Sequence, residues 1–476
     1  MAKLVLINIE DPKTGWGHPA LGIGYIASYI REYLHLDDIA IVDKEKNPFK
    51  AIKKLNPDVL GIGFCTEDFN AAVQLAKQVK SELGIPIIAG GQHISLIQHT
   101  LSKVFDICVI GEGEQTMLEL MQLYLKENEF KKSNLKKIHG IGFHNNGDVV
   151  LTERRELIRP LDKIPFPARD LFKMKEYLAP RRSISDRMLS RGTQIMTSRG
   201  CPYKCVFCSS LNFWQSVRYH SPTYVVEEMK ELIEKYKIDG IVIFDDLFAA
   251  DKKRLKEIIE LMKKEKIIGQ LIFRCYTRVN FAADEETCEL LQKMGVTDVN
   301  FGFESGSQKI LSYLKKNTVS IEQGKKAIKN CKKHDIHVNG CFILGSPSET
   351  KEDMLTTLKF IKDNPIDTIS LCLLTPFPGT ELWEYAKQKG LVSDDMDFSR
   401  LHVEPSDLDN SLILNETMSK EEFSKTYYMI KKEIEKLNLK VSFRLSHLFS
   451  FSLWKRIISH PITSSKYLYY ILQKNR

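Results

Sequence analysis

Residues 197–210 read TSRGCPYKCVFCSS, which places Cys201, Cys205 and Cys208 in the spacing C-x₃-C-x₂-C. A β-prone run at 194–197 leads into them, and Gly200 and Pro202 force a turn at the first cysteine. Cysteine thiolate is the usual ligand of iron in iron–sulfur clusters, so three on one tight loop suit three corners of a cubane cluster. No fourth cysteine is nearby, and an iron left open is a place for a small molecule to bind. Zinc fits less well, because a structural site wants four closed ligands and the nearest histidine, His220, lies outside the loop. A buried, chemically idle group of cysteines is the other alternative.

Two stretches of alternating strand and helix have to position this loop. Residues 1–140 predict strands at 4–9, 39–42, 59–64, 85–89 and 107–110, with helices at 19–34, 51–55, 69–81 and 114–126. Apolar strands separated by helices make a doubly wound, Rossmann-like parallel sheet. Ligands of such sheets sit at the carboxyl ends of the strands. Three loops there stand out: Cys65-Thr-Glu-Asp68, Gly90-Gly-Gln-His93 and Gly111-Glu-Gly-Glu114. Residues 141–190 read as a connector, with a hairpin turning at Asn146-Gly147 and a proline-containing strap at 161–170.

From 191 to 395 the alternation returns. Strands are expected at 194–197, 240–244, 271–276, 298–303, 337–344 and 368–374, and helices at 222–236, 252–265, 285–294, 320–334, 351–363 and 381–389. Six βα repeats are too few for a closed eight-fold barrel, and the sites of such barrels lie at the strand carboxyl ends. Residues 396–476 form a helical C-terminal region. Its helix at 418–437 is expected to cap the barrel, and a basic, aromatic tail follows.

With Phe207 as the aromatic residue, the cysteine loop resembles the C-x₃-C-x-aromatic-C signature of the radical S-adenosylmethionine (SAM) superfamily. The resemblance implies a partial (β/α)₆ barrel and a [4Fe–4S] cluster on Cys201, Cys205 and Cys208. It further implies SAM chelated to the open iron and cleaved reductively to a 5′-deoxyadenosyl radical. The later strand ends are similar to the same family. Asp245-Asp246 follows the second strand, Arg278 the third, Phe303-Glu304-Ser305-Gly306 the fourth and a loop containing Gly345 the fifth. These imply SAM contacts from Asp245, Asp246, Arg278, Glu304 and Gly345. An N-cap and a solvated neighbour are the bland reading of the two aspartates.

The N-terminal stretch resembles the cobalamin-binding domain often fused in front of a radical SAM domain. That resemblance places Gly90, Gly91, His93, Gly111, Glu112, Gly113 and Glu114 at the corrin face. The family's Asp-x-His-x-x-Gly ligand motif is missing from the first loop, which reads Glu10-Asp-Pro-Lys-Thr-Gly-Trp-Gly-His18; the literal match at 335–340 begins a barrel strand and is coincidental. A Rossmann-like domain that has lost its cofactor is the alternative.

The implied activity is a cobalamin-linked radical SAM methyltransferase acting on an unactivated carbon of a small-molecule or lipid-like substrate, with a reductant such as flavodoxin or ferredoxin. The alternatives are a non-methylating radical enzyme (cyclisation, ring rearrangement or oxygen insertion) and a non-catalytic cofactor-sensing protein. The composition, 43% hydrophobic and 27% charged over 476 residues, is that of a globular chain of two or three domains. Ten cysteines without a secretory signal point to a reducing cytoplasm. The net charge of +8 is concentrated in the tail, where Arg444, Lys455, Arg456, Lys466, Lys474 and Arg476 meet no acidic residue. Interleaved aromatics (Phe443, Phe449, Phe451, Trp454, Tyr467, Tyr469, Tyr470) suit an anionic membrane surface, peripheral to its inner face, as well as they suit a docking helix. No compact nucleic-acid motif accompanies the charge.

Overall fold

The structure is a computed structural model that describes residues 2–9, 17–179, 184–185, 190–405 and 408–442. It divides into two compact units: Met1–Met174 with Arg199–Ser221 and Thr375–Leu412, and Lys175–Ser198 with Pro222–Leu374 and Ile413–Arg476.

The first unit is built on strands β1 (Leu4–Asn8), β2 (Ile39–Val42), β3 (Val59–Gly63), β4 (Ile87–Gly90), β5 (Ile107–Val109), β6 (Ile141–Asn145) and β7 (Asp148–Leu151), in the order β2-β1-β3-β4-β5-β6-β7. The first five run parallel, so the chain reverses its direction of winding between β1 and β3, where doubly wound sheets open a crevice. Helices on both faces explain why these strands are apolar throughout: Leu4, Val59, Leu60, Ile87 and Ile107 have no exposed surface. Each such side chain contributes about 1.5–3 kcal/mol. In the helix Phe69–Leu83 the buried residues Ala72, Ala76 and Val79 recur at helical spacing.

The hairpin expected in the connector instead completes this sheet. Strand β6 pairs antiparallel to β5 (Cys108 opposite Gly142) and β7 to β6, across a turn with positive φ at both Asn146 and Gly147. Ile141 and Phe143 are buried, and the free edge of β5 supplies the apolar surface they need.

The second unit holds six parallel strands. They are β8 (Gly192–Ile195) and, after the short pair β9 (Ser198–Arg199) and β10 (Arg218–Tyr219), β11 (Gly240–Ile243), β12 (Ile272–Thr277), β13 (Val296–Glu304), β14 (His337–Leu344) and β15 (Thr368–Leu373). The order β15-β14-β13-β12-β11-β8 is that of an open (β/α)₆ barrel. Helix starts are set by local chemistry. Ser320 and Gln323 form a capping box at Ile321–Lys333, and Thr350 and Asp353 form one at Lys351–Asp363. A helix at Gln308–Lys315, absent from the sequence reading, buries Ile310, Leu311 and Leu314.

The C-terminal helix Lys420–Ser442 lies along β15. Phe423, Tyr427, Ile430 and Ile434 are its buried stripe, and the Asn438 amide accepts from Ile369 N–H (3.0 Å) and donates to Ile369 C=O (2.8 Å). It thus covers an edge strand that would otherwise present unpaired backbone. The basic, aromatic tail 443–476 and most of the first loop lie outside the described residues. No helix among the described residues is long and apolar enough to cross a membrane.

Candidate functional site

The cysteine loop belongs to the first unit. Gly200 enters it at φ +93°, and a Cβ there would meet the Ser216 carbonyl oxygen at 2.4 Å, so only glycine fits. Val206 anchors the middle: it is buried, and its carbonyl accepts from Leu382 N–H at 3.0 Å. The Cys208 N–H closes a turn onto Cys205 C=O at 3.1 Å. Cys201 and Cys205 are half-buried, Cys208 is exposed, and none is in a disulfide. Elsewhere burial keeps cysteines as inert thiols, as at Cys108, pushed up to about 12. Among the described residues no three His, Cys, Asp or Glu side chains converge as a single ion would need. Accessible thiols spread along one loop suit a cluster, where each sulfur takes a different iron.

Both glycine-rich loops of the first unit reach the two flanks of this loop. On the exit side, Gln92 Nε2 donates to Ser209 Oγ at 2.7 Å, next to Cys208. On the entry side, Arg199 Nη1 donates to Glu112 and Nη2 to Glu114, both at 2.6 Å. Arg218 donates to both oxygens of Glu112 at 2.8 and 2.9 Å, and Ile158 N–H adds a fourth donor at 3.2 Å. Every acceptor site of Glu112 is therefore taken. Burial would raise its carboxyl, but Arg218 and Arg199 outweigh it and hold it below the usual range. Glu112 and Glu114, placed by resemblance at the corrin face, here hold the strand that leads into the cysteines.

His93 likewise lies in the core. Its ring is fully buried between Phe69 (4.6 Å) and Phe398 (4.7 Å), with Nδ1 at 3.3 Å from the Thr66 hydroxyl and Nε2 at 3.2 Å from that of Thr100. Burial, and then the charge of His99, depress its pKa to about 3. Gly91, at φ +104°, packs against Phe64, whose carbonyl oxygen a Cβ would meet at 2.4 Å. Gly113 packs on Ile26, whereas nothing stands within 4 Å of a Cβ at Gly90 or Gly111. Those two glycines face open space at the ends of their strands.

In the second unit the strand ends divide the expected SAM residues into two kinds. Asp245 is buried, taking Thr197 N–H (2.6 Å), Thr197 Oγ1 (2.5 Å) and Ser198 Oγ (2.7 Å), so it ties the end of β11 to that of β8. Burial pushes its carboxyl up against the opposing pull of Arg254. Asp246, by contrast, is exposed. Arg278 Nη2 donates to Thr318 Oγ1 at 2.6 Å. Glu304 sits on a β-bulge at φ +60°, which turns its carboxylate onto Lys315 at 2.7 Å, both nearly buried. The Gly345 and Ser346 N–H groups donate to Glu349 (2.6 and 3.1 Å), and Asn415 Nδ2 donates to the carbonyls of Ser346 (2.9 Å) and Glu349 (2.6 Å).

Sequence reasoning missed Arg199, Arg218, Lys315 and Glu349. Arg199 precedes the first cysteine by two residues, and that proximity was the available signal; its carboxylate partners are 85 and 87 residues away. The pattern Asp335-Ile-His337-Val-Asn-Gly340 is structural, with His337 Nδ1 at 3.5 Å from the buried Asp298.

Comparison with known proteins gives two family matches: the Radical SAM superfamily over residues 195–361 and the B12 binding domain over 13–121. The chain is 36% identical over 385 residues to an uncharacterized methyltransferase of Pyrococcus horikoshii, covering 79% of this chain and 80% of that protein. It is 28% identical over 417 residues to an anaerobic magnesium-protoporphyrin IX monomethyl ester cyclase of Rubrivivax gelatinosus (84% and 72%). Among solved structures, the fold is similar to the radical SAM methyltransferase TsrM of Kitasatospora setae, solved with cobalamin and a [4Fe–4S] cluster (TM-score 0.65, 18% identity, 82% of this chain and 75% of that one). It is also similar to the cobalamin-dependent radical enzyme OxsB (TM-score 0.64, 18% identity, 91% and 62%).

Proposed function

The chain belongs to the radical SAM superfamily, in the branch with a B12-binding domain ahead of the radical SAM domain, and we propose that it is a methyltransferase acting on an unactivated carbon of a small molecule. The observation that carries this reading is that the cysteine loop and both glycine-rich loops of the B12-binding domain are bonded within one compact unit, through Ser209–Gln92 and Arg199–Glu114. Methyl transfer from cobalamin to a substrate radical would need the cluster loop and the cobalamin loops near one substrate, and their place in one compact unit supports that.

Cys201, Cys205 and Cys208 would hold three irons of a [4Fe–4S] cluster, flanked by Phe207. Within the second unit, Asp246, Arg278, Glu304 and the Gly345 turn would hold SAM. Gly90 and Gly111 would admit cobalamin, while Glu112, Glu114 and His93 hold the framework behind it. When bound, the cluster supplies the electron that splits SAM to a 5′-deoxyadenosyl radical, and cobalamin carries the methyl group. The chain's own work is to place these groups. A flavodoxin or ferredoxin would deliver the electron in the cytoplasm.

The test is anaerobic reconstitution with SAM, cobalamin and reductant, followed by mass spectrometry with a cell extract. A methyltransferase yields 5′-deoxyadenosine and a product heavier by one CH₂ unit. A radical product without that gain favours a cyclase-type reaction, and no 5′-deoxyadenosine at all removes the enzyme reading. A lipid-like substrate would fit the tail, whose basic and aromatic residues suit peripheral contact with an anionic membrane. Full-length protein should then bind anionic vesicles at low salt, and protein ending at Val441 should not.

A further inference from the structure

We propose that Arg199 is the positioning residue of the cluster-binding loop, and that Glu112 and Glu114 of the B12-binding domain set both its geometry and the charge next to the cluster. The proposal rests on the reading that Cys201, Cys205 and Cys208 hold a redox-active cluster. Arg199 is 4% exposed, two residues before Cys201, on a strand whose partner carries the equally buried Arg218. Its guanidinium makes charge-assisted bonds to two carboxylates and has the rings of Tyr25 and Trp214 each at 5.3 Å. Two guanidinium groups and two carboxylates balance, so the quartet is neutral as a whole.

A buried ion network is a poor device for stability alone, since apolar residues of equal volume usually do as well or better. A planar guanidinium held by two carboxylates instead has one orientation. That fixes residue 199, and the strained turn at Gly200 passes the constraint to Cys201. The exit of the loop is held by the neutral Gln92–Ser209 and Asn212–Gly379 bonds and by Arg154 on the Asn212 carbonyl (3.2 Å), whereas the paired guanidinium and carboxylate groups stand on the entry side.

A neutral quartet beside the loop has a signed consequence. One-electron reduction makes the cluster more negative, and nearby net charge is one of the levers on its potential. Glu114→Gln leaves an uncompensated positive charge and should raise the midpoint potential. Arg199→Gln leaves an uncompensated negative charge and should lower it. Arg199→Lys keeps the charge without the fork, so it should restore most of the potential while broadening the electron paramagnetic resonance signal of the reduced cluster.

The experiment is a potentiometric titration of wild type and the three variants, each with iron and sulfide determined. Opposite shifts for Glu114→Gln and Arg199→Gln are expected, because a purely structural pair would give either no shift or shifts of one sign. Either of those results overturns the proposal. Should Arg199→Gln not fold, the near-isosteric Glu114→Gln decides alone: a raised potential supports the proposal and an unmoved one overturns it. Wild type that binds no cluster would instead sink the functional reading on which this stands.

Discussion

Thr197 donates both its backbone N–H and its hydroxyl to Asp245, at 2.6 and 2.5 Å. The first of two adjacent aspartates is thereby used to join two strand ends, and the second is exposed.

Asp245→Ala should therefore lower the melting temperature, removing a buried acceptor of three bonds at about 1–3 kcal/mol. Asp246→Ala should melt as the wild type does but bind SAM about ten-fold more weakly, as expected for loss of one charged hydrogen bond. Calorimetry and titration calorimetry measure the two effects. Equal stability of Asp245→Ala and wild type would reverse the assignment.

The Glu304–Lys315 pair makes a prediction that needs a double variant. Lys315→Met strands a buried carboxylate on a bulged strand and should cost about 3–5 kcal/mol. Adding Glu304→Gln should recover part of that stability while SAM binding stays impaired. Strictly additive losses on denaturant unfolding would mean that the two side chains act independently.

Burial pushes the Glu349 carboxyl up to about 7, against the donors of Gly345 and Ser346. The folded state thus prefers this group protonated. Its contribution is present below the ordinary carboxylate pKa and is lost as pH rises through about 7. Relative to Glu349→Gln, the wild type should lose up to about 3 kcal/mol between about pH 5 and pH 8. Parallel stability profiles of the two proteins would refute this.

His93, with both ring nitrogens placed against hydroxyls in the core, should not ligate cobalt. Bound cob(II)alamin should show no change in its resonance spectrum when the protein's histidines carry ¹⁵N, while His93→Ala should unfold at lower denaturant. A ¹⁵N-dependent splitting would place a histidine on the metal.

Regular structure was legible because its causes are local. The helix expected at 320–334 forms at Ile321–Lys333, where Ser320 and Gln323 cap it, and β14 and the helix Lys351–Asp363 keep the bounds read from the sequence. The cysteine loop was legible for the same reason. What was not legible depends on distant partners. Nothing in Asp245-Asp246 says which one turns inward, because the donors are 48 residues earlier in the chain. The ion pairs of the Gly111–Glu114 loop could not be read, because Arg199 lies 87 and 85 residues from Glu112 and Glu114. The hairpin was assigned to a connector because an edge strand's partner does not follow from its own pattern.

The first unit is assembled from three separate lengths of chain, and its last piece arrives late. The Asn212 amide, just past the cysteines, donates to Gly379 C=O 167 residues further on, and Val206 takes Leu382 N–H from the same segment. On the ribosome, then, the three thiols emerge long before the backbone that ties their loop down. The loop should therefore settle late in the life of the nascent chain, and a polypeptide broken off before residue 375 would carry all three cysteines yet lack the backbone that ties their loop down.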